Sequence, residues 1–358
     1  MNTYYDDIYN NFAYIFHLNG NWTEAEKLQV EVLWKRQQLL GPVHPHTLTS
    51  MANLALTYRN QGKWTEAEKL QVEVMEKRQQ LLSPAHLDTI ASMGNLTSTY
   101  MKQGKLNEAE KLQVEVLETT YQLLGIDHPD TLTSMVNLAS TYMNQGKLSE
   151  AEILQVEVME KRQQLLGPAH PHTLTSMANL AATYMKQGKM TEAEILQIEV
   201  IKKIQQLLGS DHPHTLTSMA NLASTYSKQG KWTEAEKLEV EVMEKRQQLL
   251  GPDHPHTLTS IANLAATYSN QGKLTEAEKL EVEVMEKRQQ LLHSAHPDTL
   301  TSMEHLASTY MNQGKLTEAK KLQVEVMEKR HDLDNEGWFL DVCACPIFYS
   351  FQLIFVTL

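Results

Sequence analysis

Apolar residues recur along the chain at spacings of three and four, which place side chains along one face of an α-helix. In residues 47–58 this stripe runs through Leu48, Met51 and Ala55. We predict a helix here, called helix A. Pro45 suits its first position, because the N–H that proline lacks would have no partner within the helix. The pattern therefore predicts an amphipathic helix with one buried face.

A second apolar segment, called helix B, follows and ends near Leu82. Its apolar residues lie on two sides, so we expect it to pack against more than one neighbour. Gly62 stands between the two helices, where a left-handed turn favours glycine. Thr65 and Glu68 have the spacing of a capping box, so we predict Thr65 as the N-cap of helix B.

The same pair of predicted helices returns every 42 residues. Regular units begin at residues 44, 86, 128, 170, 212, 254 and 296. We predict seven regular repeats over residues 44–337, a degenerate N-terminal repeat over 1–43 and a hydrophobic non-repeat tail over 338–358. One isolated hairpin would leave apolar surface in water, whereas stacked units bury it. An all-α, elongated solenoid is expected.

The net charge narrows the possible partners, and the small number of cysteines narrows the possible crosslinks and metal sites. The net charge of −12 disfavours nucleic acid and anionic membrane as ligands, so we expect a protein or peptide partner. Cys343 and Cys345 are the only cysteines, too few for a disulfide framework or a four-cysteine metal site. The N-terminus lacks a basic signal region, and we predict a cytoplasmic protein. Residues 342–358 are barely long enough to cross a bilayer; an unfolded or wrongly translated terminus is expected, with a membrane anchor as the alternative.

The repeated residues carry a family resemblance. Residues 53–68 read Asn-Leu-Ala-x-x-Tyr-x-x-Gln-Gly-Lys-x-x-Glu-Ala-Glu, which resembles the tetratricopeptide repeat, and the 42-residue period resembles its kinesin light chain subclass. The stretch 128–152 is similar to the repeat tails of fungal NOD-like (NB-ARC) regulators. This resemblance covers residues 2–337. It implies a right-handed superhelical solenoid of eight helix-turn-helix repeats whose concave surface is lined by helix A.

Two features that accompany such repeats are not found in this sequence. Kinesin light chains place a heptad coiled coil before their repeats, whereas the first repeat here begins almost at Met1, so motor assembly is not expected. NB-ARC regulators carry a phosphate-binding loop of the type G-x-x-x-x-G-K-[ST], and no such stretch occurs. Nucleotide switching by this chain is therefore not expected, and an isolated repeat module remains.

Opposite its apolar stripe, helix A carries small neutral residues, and a single charge, Glu304, occurs between Thr and Tyr across the regular units. Asparagine recurs there at Asn53, Asn95, Asn137, Asn179, Asn221 and Asn263, here called the asparagine ladder. In the resembled family, asparagine at this position holds the backbone of an extended peptide. The resemblance thus implies a peptide-binding groove. Its further candidates are Thr49, Ser98, Ser140, Ser224, Met143 and Met185. The alternative is that the ladder only joins adjacent helices by hydrogen bonds.

Histidine pairs raise the question of metal. His44 with His46 is one of four His-x-His pairs. Neighbouring helices lie roughly 10 Å apart, whereas Zn–N bonds are about 2.0 Å, so a pair would lack further ligands. Asp88 and Asp130 replace the second histidine in other repeats, which favours a role at the start of helix A. We predict no metal and no cofactor.

The sequence therefore favours a non-enzymatic scaffold that binds an extended peptide or protein through the helix A groove. No nucleophile, base or phosphate loop occurs once in a distinctive setting, and no catalytic residue is predicted. The alternative is a regulatory sensor arm that acts with a separate or missing NTPase domain of a NOD-like signalling protein.

Overall fold

The computed structural model describes residues 12, 13, 15, 16, 21–292 and 294–335, with side chains as far as 331. The predicted tail over 338–358 and residues 1–11, 14 and 17–20 of the predicted first repeat lie outside these residues. Fifteen complete helices, and no strand, occur in the described part. They are α1 (Trp22–Leu40), α2 (Pro45–Asn60), α3 (Trp64–Leu82), α4 (Leu87–Lys102), α5 (Leu106–Leu124), α6 (Pro129–Gln145), α7 (Leu148–Leu166), α8 (Pro171–Gln187), α9 (Met190–Leu208), α10 (Pro213–Lys228), α11 (Trp232–Leu250), α12 (Pro255–Asn270), α13 (Leu274–Leu292), α14 (Pro297–Asn312) and α15 (Leu316–Asn335).

Even-numbered helices are the predicted helices A and odd-numbered ones the helices B. The chain forms two compact units, Met1–Val158 and Met159–Leu358, and their boundary falls inside α7. Within the first unit, α1 to α6 pack consecutively, from the pair α1 and α2 to the pair α5 and α6. Within the second unit, α8 to α15 pack consecutively in the same way. The predicted all-α fold with consecutive packing of repeats is confirmed.

Each core is shared by three successive helices. In the first unit Leu33 of α1, Met51 of α2 and Val74 of α3 pack into one buried cluster. In the second unit Ile201 of α9 and Met219 of α10 belong to an equivalent cluster with α11. The predicted apolar stripe of helix A is confirmed as core. Because burial of one such side chain contributes roughly 1.5–3 kcal/mol, a hairpin needs its neighbours to be stable.

Helix A begins with a histidine cap. Pro45 occupies the first helical position, as predicted, and the Nδ1 atom of His44 accepts a hydrogen bond from the N–H of His46 at 3.2 Å. This bond satisfies an N–H that has no partner within the helix. The capping histidines are His44, His86, His128, His170, His212, His254 and His296. The predicted role at the start of helix A is thus N-capping, and the histidine before the helix performs it in every regular repeat, with or without a second histidine.

Helix B begins without the predicted capping box. Thr65 lies inside the first turn, and the N-cap residue Lys63 makes no side-chain capping bond. Glu68 instead accepts hydrogen bonds from Gln103 at 2.9 Å and Lys105 at 2.6 Å, both in the next repeat. The capping-box prediction is wrong, because a charged donor binds a carboxylate more strongly than a backbone N–H does.

This contact recurs between repeats and is here called the Glu–Gln–Lys clasp. In the first unit, Glu110 accepts from Gln145 at 2.8 Å and from Lys147 at 2.7 Å, and Lys147 also lies over the ring of Tyr142. The ammonium of Lys147 and then the amide of Gln145 hold the pKa of Glu110 below its ordinary value. The acids of the other clasps are Glu26 and Glu68 in the first unit and Glu194, Glu236 and Glu278 in the second. The clasp joins helix B of one repeat to the turn of the next.

Two kinds of turn separate the helices. Gly62, between helices A and B, has a φ of +76°, which confirms the predicted left-handed turn. After helix B the chain again needs positive φ, as at Gly167 with +91°. Ser83 occupies that second position in its repeat with a φ of +96°, where side chains are strained.

Candidate functional site

The asparagine ladder lies on the side of helix A that faces away from the core. Asn53, Asn95 and Asn263 are exposed. Asn137, Asn179 and Asn221 are half-buried, although the leucine that follows each of them is buried. In each unit the helical spacing therefore carries the asparagine side chains to one side of the helices A, here called the helix-A face.

The side-chain amides of the ladder make no hydrogen bond to any described residue of the chain. Their backbone oxygens are used, since the hydroxyl of Thr141 donates to the carbonyl of Asn137 and that of Thr225 to the carbonyl of Asn221. The amide groups themselves each keep two donors and an acceptor for other ligands. Interhelical hydrogen bonding of the ladder, the alternative, has no support in the described part.

The hydroxyl candidates differ in how they are engaged. Thr49 is exposed, and its hydroxyl donates to the carbonyl of Pro45 in its own helix. Ser98 accepts a hydrogen bond from the guanidinium of Arg59 at 3.1 Å. Ser224 is exposed and Ser140 half-buried. These short side chains flank the ladder without covering it.

The two methionine candidates have different environments. Met143 is half-buried, and its sulfur accepts a hydrogen bond from Gln155 at 3.3 Å. Met185 is only 5% exposed, and its sulfur lies 3.2 Å from the hydroxyl of Thr225. Because Met185 is enclosed between helices, the helix-A face as we define it includes Met143 but not Met185.

Two lysines belong to the same face and were not among the sequence candidates. Lys186 and Lys228 each stand seven residues, about two helical turns, after Asn179 and Asn221 respectively. Burial and then the nearby charge of Lys186 lower the pKa of Lys228. The sequence signal that could have identified these two residues is a lysine in the last turn of two consecutive helices A. Asn60 occupies the same position in the first regular repeat.

Two buried acids lie on helix B in the second unit. Glu239 is 6% exposed, and one of its carboxylate oxygens has no partner in the described structure; Glu281 is similar. Burial raises the pKa of Glu239 to about 8 and that of Glu281 to about 7, although hydrogen bonds to Thr267 and Thr309 oppose the shift. Glutamine stands at this position in other repeats, including Gln197.

The histidine pairs and the long helices bear on metal binding and membrane insertion. No group of three or more His, Cys, Asp or Glu side chains is arranged to hold an ion in the part of the chain that the structure describes. The rings of His170 and His172 lie 5.3 Å apart, and the first of them caps a helix. None of the described helices has the length and apolar character needed to cross a bilayer.

Paired antiparallel helices, repeated every 42 residues and joined by the same clasp, define an α-helical repeat protein. Tetratricopeptide repeat models match residues 7–46, 47–88, 89–130, 131–172, 257–298 and 299–333, and a further model of this repeat matches 173–244. The chain belongs to the tetratricopeptide repeat family. A comparison with curated protein sequences finds no match.

Solved structures with similar folds include TPR-like repeats assigned to a kinesin light chain of Podosopora anserina. They are 32% identical, with a TM-score of 0.53, and the match covers 58% of this chain and 98% of theirs. A tetratricopeptide repeat protein from Parabacteroides merdae is 17% identical over 85% of this chain and 98% of its own, with a TM-score of 0.57. A Signal Transduction ATPase with Numerous Domains (STAND) from Pyrococcus horikoshii, which has a tetratricopeptide repeat sensor, is 15% identical. It matches 94% of this chain and 54% of its own, also with a TM-score of 0.57. The suspected kinesin light chain-like class is supported.

Proposed function

We propose that the protein is a non-enzymatic scaffold whose helix-A face binds an extended peptide segment of a protein partner. The observation that carries this proposal is the unused hydrogen-bonding capacity of the asparagine ladder. Six amides point away from the core and make no hydrogen bond to a described residue. An extended peptide has free backbone N–H and C=O groups that one asparagine amide can satisfy together.

The spacing of the repeats supports an extended ligand. Neighbouring helices pack about 10 Å apart, which corresponds to about three residues of extended chain at roughly 3.3 Å each. Within one unit, successive asparagines would meet every third residue of such a peptide. The small side chains Thr49, Ser140 and Ser224 leave space for its backbone, and Met143 offers an adaptable apolar contact.

A second function is favoured by one comparison. The repeats of the Pyrococcus horikoshii protein are named as the sensor of a STAND ATPase. By that analogy, this chain would act as a sensor arm for a separate NTPase partner, and the helix-A face would bind a signal. Co-purification of a stoichiometric NTPase with the tagged chain would favour this function over a free scaffold.

The test is the replacement of Asn179, Asn221 and Asn263 by Ala, with a peptide selected by phage display on the full chain as the ligand. Each lost hydrogen bond contributes about 0.5–1.5 kcal/mol, so the affinity should fall by about tenfold or more. The melting temperature should hardly change, because these amides have no partner within the described chain.

The matched control removes three amides from helix B instead. It replaces Gln164, Gln206 and Gln248, all exposed, by Ala. Isothermal titration should give the control the affinity of the unaltered protein. Equal affinity of the asparagine variant and the control would refute the proposed role of the helix-A face.

A further inference from the structure

The helix B that ends at Leu124 departs from the repeat at three consecutive positions. Residues 119–121 read Thr-Thr-Tyr, whereas the corresponding residues 77–79 and 161–163 read Lys-Arg-Gln. Ile126 follows in the turn, where Pro84 stands one repeat earlier. Relative to residues 77–79 and Pro84, this change removes two positive charges and adds two large apolar side chains at one place.

In the preceding repeat, the lysine and arginine at these positions form contacts that the two threonines do not form. Arg78 donates to the hydroxyl of Ser92 at 2.8 Å, and Lys77 pairs with Glu73 one turn earlier. Thr120 is buried instead, and its hydroxyl donates to the carbonyl of Val116 at 2.9 Å. The change therefore leaves the helix intact but removes its cationic surface.

A pocket of about 320 Å³ lies at this place, within the first unit. Leu117 of α5, Met135 of α6 and Leu154 of α7 form its apolar surface. Tyr121, which is 54% exposed, and Ile126 complete it, and these are two of the residues that depart from the repeat. Tyr121 and Ile126 thus add apolar surface that Gln79 and Pro84 do not supply in the preceding repeat.

The charge of the pocket is negative. Glu118 and Glu157 are among its lining residues, and none of those lining residues, all in the described part, is basic. Thr119 stands where a lysine would otherwise lie one turn after Glu115. A positive group at the mouth would be attracted to two carboxylates and to the face of the Tyr121 ring.

We propose that this pocket binds a partner segment in which an aromatic or aliphatic side chain is flanked by lysine or arginine. The apolar side chain would enter between α5 and α7, and the cation would meet Glu118 and Glu157. The site is distinct from the helix-A face, because Asn137 lies two residues, about 200°, around α6 from Met135. It therefore does not depend on the function proposed above.

The test uses two tripeptide amides as probes, acetyl-Lys-Trp-Lys and acetyl-Glu-Trp-Glu, with binding followed by the Met135 methyl resonance of the full chain. The lysine peptide should bind at least fivefold more tightly than the glutamate peptide. Equal binding of the two peptides, or no shift of Met135 with the lysine peptide, would overturn the proposal.

Two variants restore residues that other repeats already carry, so both should fold. Tyr121→Gln with Ile126→Pro removes the apolar walls, and Thr119→Lys adds a competing charge. Each should weaken binding of the lysine peptide at least fivefold, with a melting temperature equal to or above that of the unaltered protein. Glu244→Gln, on a helix B of the second unit, is the control and should leave binding unchanged. Unchanged binding in both restored variants would show that the pocket is not the site.

Discussion

Replacement of Glu239 by glutamine should stabilise the protein at alkaline pH and leave it unchanged in acid. Glu239 is buried on α11, and burial raises its pKa from 4.5 to about 8. One carboxylate oxygen has no partner in the described structure. The corresponding Gln197 is neutral at every pH and accepts a hydrogen bond from Thr225 at 2.7 Å. The substitution thus places the residue of another repeat in an equivalent site.

The sign of the effect follows from proton uptake. Between pH 4.5 and about 8 the folded state holds a proton on Glu239 that the unfolded state has lost. The free energy of unfolding therefore falls as pH rises through this window, by about 1.4 kcal/mol per pH unit when the proton difference is complete. Below pH 4.5 both states are protonated, and above about 8 both are ionised, so the free energy no longer changes with pH. Since glutamine does not ionise, we expect Glu239→Gln to gain up to about 5 kcal/mol near pH 8.5 and about 0 near pH 4.

Urea unfolding, followed by circular dichroism at several pH values, measures this difference. Glu281→Gln should behave in the same way with a smaller gain, because the pKa of Glu281 is raised only to about 7. Glu244→Gln removes an exposed acid from the same helix as Glu239 and serves as the control. A constant difference between Glu239→Gln and the unaltered protein from acid to alkaline pH would refute the reasoning, since it would mean that Glu239 is ionised in the folded state.

Two further substitutions test the backbone and the caps. Ser83→Gly should raise the free energy of unfolding by about 1 kcal/mol, because Ser83 has a φ of +96° that glycine adopts without strain; a midpoint in urea no higher than that of Ser83→Ala would contradict this. His170→Ala should lower the free energy of unfolding by about 1 kcal/mol, because the Nδ1 atom of His170 accepts a hydrogen bond from the N–H of His172, and His170→Asn should restore most of this loss. Equal melting temperatures for the two His170 variants would show that the cap contributes nothing.

The helices and their buried faces were predictable from the sequence because they depend on local spacing. The stripe of Leu48 and Met51 and the outward direction of Asn53 both follow from 3.6 residues per turn. The start of helix B was not predictable, because Glu68 is bound by Gln103 and Lys105, which lie 35 and 37 residues away in sequence. A pattern confined to one turn cannot reveal such partners.

The candidate site, like the fold, could be predicted from the sequence only in part. The direction of the asparagine ladder, away from the core, was predictable from the helical wheel, but burial of Met185 was not. Its sulfur meets Gln197 of the following helix and Thr225 of the next repeat. The pocket beside Tyr121 also needed the structure, since residues from three helices form it. Contacts between repeats decide which surface residues remain available.

The uniform clasp also bears on how such a gene can change in length. Each joint uses the same three residue types at the same register, so any repeat presents a glutamate that fits the glutamine and lysine of any other. Loss of residues 86–127 through unequal recombination would bring Glu68 next to Gln145 and Lys147, which now bind Glu110. The new joint would have the chemistry of the old one. The number of repeats, and with it the length of the helix-A face, can therefore vary between generations without redesign of the fold.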